Sequence, residues 1–154
     1  MARMRGLVIA TFGLLCLALA GCATVHERIL NAGDRLERNT NALASRASDD
    51  AGATDPVGGY SRAAREFANE AGNFRRVADV AGDRDVVLAF EELWRRYQTL
   101  RQEINRNQSP RAQADFRPVT EAFVEVQRVV RNGYSYADTA LYARGGYYFD
   151  PFYN

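Results

Sequence analysis

From Thr24 to Arg131 the apolar positions recur with a helical period. Val25, Ile29, Ala32, Leu36, Asn39 and Leu43 are spaced four, three, four, three, four. That spacing holds them on one face and predicts a helix over about residues 24–47. Asn39 is a polar interruption of the seam, and a single buried Asn can fix register at some cost in stability. Gly33 weakens the same helix. Tyr60, Ala64, Phe67, Ala71, Phe74, Ala78 and Ala81 repeat the alternation and predict a second helix over about 60–81. Here Phe alternates with Ala, so large side chains can meet small ones. Gly82 is a suitable stop, and Asp83 is expected to cap the next helix.

The third helix, about 84–106, carries the strongest pattern: Val86, Phe90, Leu93, Tyr97, Leu100 and Ile104. On its outer face Glu91 is expected to pair with Arg95 and Glu92 with Arg96, which reads as a solvated face rather than a pair of catalytic acids. Trp94 flanks the seam as a packing residue. Ser109-Pro110 reads as N-cap and first helical residue of a fourth helix, about 110–131, with Ala112, Phe116, Val119, Phe123, Val126 and Val130 on one face. Pro118 predicts a kink or a restart near Phe116, and Asn132-Gly133 an end. The short connection between the second and third helices implies antiparallel neighbours, and residues 105–109 form a polar turn before the fourth. The expected fold is all-α: an antiparallel up-and-down bundle of four helices. A three-helix core with a loosely docked first helix is the alternative.

Two stretches interrupt the pattern. Residues 48–59 hold Asp49-Asp50, Gly52, Asp55-Pro56 and Gly58-Gly59, a solvated loop without the acidic spacing of a calcium-binding EF-hand. Residues 133–154 hold Tyr134, Tyr136, Tyr142, Tyr147, Tyr148, Phe149, Phe152 and Tyr153, eight aromatics in 22 residues. Tyrosine offers apolar area and a hydroxyl that tolerates water. These eight are the candidate partner-binding residues. Folding back over the open end of the bundle weighs evenly against that use.

The first 21 residues are of another kind. Arg3 and Arg5 precede an uncharged, almost wholly apolar run from Gly6 to Ala20. A basic start, a short apolar core and a small-residue cleavage site describe a secretory signal peptide, and the run is short for a spanning helix. Arg3 and Arg5 are not adjacent, so general secretion is the expected route. Leu19-Ala20-Gly21-Cys22 closes it and resembles the lipobox of bacterial lipoproteins. That resemblance implies a diacylglyceryl thioether on Cys22, cleavage before it and N-acylation of the new terminus. With two or more acyl chains the membrane anchorage is stable. Ala23, where aspartate often marks retention in the inner membrane, implies the periplasmic face of the outer membrane. The expected organisation is signal peptide 1–21, bundle 22–132 and Tyr-rich tail 133–154.

Composition narrows the chemistry. Without Arg3 and Arg5, 18 basic residues face 19 acidic ones, a net charge of −1, so nucleic-acid binding is not expected. Cys16 falls in the signal peptide and Cys22 would carry lipid. His26 is the lone histidine, too few for a Cys/His zinc site or a di-iron bundle. All 20 basic residues are arginine, which removes Schiff-base lysine chemistry. No metal, no cofactor and no catalytic residue is expected. The expected function is a non-enzymatic, membrane-anchored lipoprotein of the bacterial envelope that binds a protein or envelope component in the periplasm. The alternative is a periplasmic carrier of a small apolar ligand held between the helices, where the Ala-rich second helix would leave room.

Overall fold

A computed structural model describes residues 24–49 and 58–134. Four helices account for nearly all of them: α1 (Val25–Asp49), α2 (Gly59–Val80), α3 (Asp83–Asn107) and α4 (Pro110–Gly133). Each bound lies within two residues of the sequence expectation. The helices form an antiparallel up-and-down bundle in which α1 packs on α2 and α4, and α3 closes the ring between α2 and α4. The first helix is therefore an integral member rather than a loosely docked one. Cross-helix pairs give the register. Arg35 meets Glu125 and Arg46 meets Asp115, while Asp34 meets Arg75 and Glu66 meets Arg96. Rising numbers on one helix meet falling numbers on its neighbour.

The core is one cluster in which every apolar position expected on α2 from Tyr60 to Ala78, and every one expected on α3, is buried. On α4, Phe116 is only partly buried and the other five expected positions are buried. On α1 the pattern drifts. Ile29, Ala32, Gly33, Leu36, Thr40, Leu43, Ala44 and Ala47 are buried, a face with the 3.6-residue period of a straight helix rather than 3.5. Thr40, at 0% exposure, thus takes the polar core position expected for Asn39. Its hydroxyl donates to the Glu37 carbonyl at 2.9 Å. Asn39 is half-buried at the α1–α4 boundary, where its Nδ2 donates to the Pro118 carbonyl at 3.0 Å. Gly33 is buried against Arg75 of α2.

The helix ends show how the chain is punctuated. Thr24 and Glu27 form a reciprocal capping box: the Glu27 N–H donates to Thr24 Oγ1 at 3.1 Å and the Thr24 N–H to Glu27 Oε2 at 2.8 Å. Ser109 caps α4 as expected, accepting from the Ala112 N–H at 3.4 Å with Pro110 behind it. Asp83 does not cap α3. The N-cap is Gly82, in extended backbone and with no side-chain cap, and Asp83 opens the helix itself. There its carboxylate, with that of Asp85, complements the positive end of the helix dipole. α2 ends at Val80 with extended Ala81 as its C-cap, so Gly82 follows as the stop expected, though in extended rather than left-handed backbone. Gly58, which precedes α2, has φ of 66°, the left-handed region where glycine is favoured. α4 runs unbroken through Pro118, so no restart occurs at Phe116. On α3, Glu92 pairs with both Arg95 (2.7 Å) and Arg96 (3.1 Å). Arg95 thus reaches Glu92 rather than Glu91, and Arg96 continues across to Glu66 of α2.

Candidate functional site

The antiparallel order gathers four helix termini at the end where the described chain begins: the start of α1, the end of α2, the start of α3 and the end of α4. Val25 lies against Gly133 so closely that a Cβ at Gly133 would collide with its side chain. That contact joins the first and last helices at this end. Tyr134, the C-cap of α4, donates its N–H to the Val130 carbonyl at 3.0 Å and is buried with the core. Burial, reinforced by the Asp83 carboxylate, raises the Tyr134 phenol above its ordinary value of 10.0.

The expected site residues divide at this point. Tyr134 belongs to the bundle, so the first of the eight aromatics is a core residue rather than a reachable contact. Cys22, Tyr136, Tyr142, Tyr147, Tyr148, Phe149, Phe152 and Tyr153 lie outside the described residues, as does most of the expected 48–59 loop. Cys22 precedes Thr24, the first described residue, by two positions. The Thr24-x-x-Glu27 spacing, a capping-box signature, is the sequence signal that fixes where the helix begins behind it.

The same end carries apolar surface. Among the described residues the exposed large hydrophobics are Val25 (39%), Val80 (85%), Leu88 (40%) and Val124 (42%). Val25 is the first residue of α1 and Val80 the last of α2. Leu88 and Val124 also fall in the half of their helices nearer this end. No described helix is long and apolar enough to cross a membrane.

A second feature lies on the flank. A groove of about 530 Å³ runs between α1 and α2, lined by Asp34, Glu37, Asn41, Ala68, Asn69, Gly72, Arg75 and Arg76. Arg75 is its pivot. Its Nε donates to Asp34 at 2.8 Å, and a second nitrogen lies 3.6 Å from Asp79. The Asp34 bond, above all, raises the Arg75 pKa further beyond its already high ordinary value. Gly72 keeps this wall low beside the Glu37 carboxylate. The groove offers charges of both signs and amides, a surface for polar ligands rather than apolar ones. The small side chains of α2 are buried in the core cluster.

His26 is exposed on the first turn of α1. Among the described residues no group of three or more His, Cys, Asp or Glu is placed to hold a metal ion. On α4, Gln127 is buried and its Nε2 has no hydrogen-bond partner, a polar core position the heptad-like spacing does not announce. Comparison with known proteins adds no relative: no family profile, no curated protein and no solved structure matches this chain.

Proposed function

We propose that this chain is a lipid-anchored, non-enzymatic lipoprotein of the bacterial cell envelope. It holds a helical bundle at the periplasmic face of the outer membrane and binds a protein or envelope component there. The observation that carries the reading is Leu19-Ala20-Gly21-Cys22 at the close of a basic-then-apolar leader, two residues before the capped start of α1. The lipid on Cys22 would hold the chain, and the aromatic residues after Tyr134, from Tyr136 to Tyr153, supply the contact surface. A carrier of small apolar ligands gains no support from the α1–α2 groove, whose lining is polar.

Two measurements test this. Intact mass and fractionation of the native protein should find a chain beginning at Cys22 with added acyl mass, held in the membrane. Cys22→Ser should move it to the soluble fraction. A Cys22→Ser chain that stays with the membrane would overturn lipid anchoring. Crosslinking in the native envelope, repeated on a chain lacking residues 135–154, should lose its protein adduct. The truncation begins after Tyr134 because Tyr134 is part of the core.

A further inference from the structure

The lipidated reading of Cys22 has a geometric corollary on which the following rests. A chain spans at most about 3.3–3.6 Å per residue. Cys22 and Val25 are three residues apart, so the backbone at the acylated residue can be no more than about 11 Å from the first residue of α1. The opposite end of the bundle lies a helix length away, roughly 36 Å for 24 residues. A tether that short leaves the bundle little freedom to turn its far end toward the bilayer.

We propose that the bundle stands end-on, with the exposed Val25 and Val80 seated against the phospholipid headgroups. Three observations meet here. The end nearest Cys22 is closed by four helix termini. It bears Val80, the most exposed large hydrophobic among the described residues. All four exposed large hydrophobics lie in this half of the bundle. Leu88 stands five residues into α3, about 7.5 Å along the axis, and lies at the edge of the contact. Val124 stands nine residues from the end of α4, about 13.5 Å along, beyond it.

Charge helps decide the kind of contact. The terminal turns carry Glu27, Asp79, Asp83 and Asp85 against Arg28, Arg84 and Arg131. That balance offers no basic patch for anionic lipid. The seat is therefore apolar and interfacial, held in place by the acyl anchor and independent of the anionic lipid fraction. Attachment by the lipid alone would not require an exposed valine at this end rather than the other.

Acylated Cys22 leaves no free thiol in the mature chain, so an introduced cysteine takes a single spin label. The test uses full-length lipidated Val80→Cys and Asn105→Cys, an exposed position near the other end, each labelled and reconstituted in phosphatidylethanolamine–phosphatidylglycerol vesicles. The same pair in a Cys22→Ser background, free in solution, is the reference. Collisions with a water-soluble nickel chelate should be at least threefold rarer at position 80 than at 105 in vesicles, and equal in the reference. The ratio should not change with the phosphatidylglycerol fraction. Equal accessibility in vesicles for an acylated chain would overturn end-on seating while leaving anchoring intact. Protection at 80 that persists in the soluble reference would overturn it too, because the chain's own tail would then be the cover. A native chain without acyl mass would overturn anchoring and seating together.

Discussion

Two seams of this bundle both arise from helical apolar spacing and are built from opposite materials. Between α1 and α2 the helices pack through small residues, with Gly33 against Arg75 and Gly72 beside Glu37. Between α3 and α4 close backbone approaches are few, and aromatic rings lie between the helices. Phe123 is the centre of that filling. It stacks on Tyr97 at 4.1 Å and 3°, lies 5.6 Å from Trp94 and 5.9 Å from Phe90, and reaches Phe67 of α2 at 6.2 Å. Tyr97 continues the stack to Phe116 at 5.5 Å, and its hydroxyl shares a hydrogen bond with Thr120 at 3.3 Å. Periodicity places a residue on the inner face; side-chain size sets how far apart the helices stand. The narrow seam keeps its charged pairs at the rim, where each contributes about 0–1 kcal/mol. The wide seam rests on buried ring area plus about 0.5–1.5 kcal/mol per favourable pair.

The sharpest way to break the contrast is Phe123→Ala. It removes the shared ring and should cost about 3–5 kcal/mol, read as a lower urea midpoint at unchanged slope. A loss below 1 kcal/mol would mean that the neighbouring rings close the void. Gly33 tests the narrow seam from both sides. Gly33→Leu should cost about 1–3 kcal/mol by overpacking. Gly33→Ala puts its Cβ at an ordinary 3.6 Å from Arg75, and it should stabilise α1 by about 0.5–1 kcal/mol. Thermal unfolding of the two variants should therefore shift in opposite directions.

Tyr134 ties the wide seam to the start of α3, and its phenol has a folded pKa above the unfolded one. Its contribution is complete below about pH 10 and is lost as pH rises through the raised folded value. Tyr134→Phe should flatten the fall in stability on the alkaline side and leave neutral stability little changed; urea midpoints at neutral and alkaline pH check it. The smallest effect is expected at the turn joining α3 to α4. Gln108 sits at φ of 53°, a conformation that costs a residue with a Cβ about 1–2 kcal/mol. Gln108→Gly relieves it against glycine's entropy and should raise stability by about 0.5 kcal/mol, visible as a slightly higher melting temperature.

Much of the fold is legible in the residues themselves. Four runs of apolar spacing, Ser109-Pro110 and the short turns at 81–82 and 108–109 carry enough to order four antiparallel helices. What the spacing misplaces has local causes. Asn39 and Thr40 are adjacent, and only the drift between 3.5 and 3.6 residues per turn decides which one enters the core. Gly82 and Asp83 are both acceptable N-caps, and the turn geometry, which sequence does not display, selects Gly82. Pro118 carries an expectation of interruption, yet its position is exposed and the helix continues through it. The site is less legible. Cys22 and seven of the eight aromatics lie where motif and composition speak and the described structure does not. Tyr134 is known as a core residue by its burial alone, since nothing in its own sequence context separates a core tyrosine from a surface one.

The burial of Tyr134 has a consequence for processing. Its side chain is 6% exposed and sits in the hydrophobic cluster, so a protease that cut before position 134 would take a core member with the fragment it released. The last turn of α4 is thus held by packing as well as by its backbone hydrogen bonds.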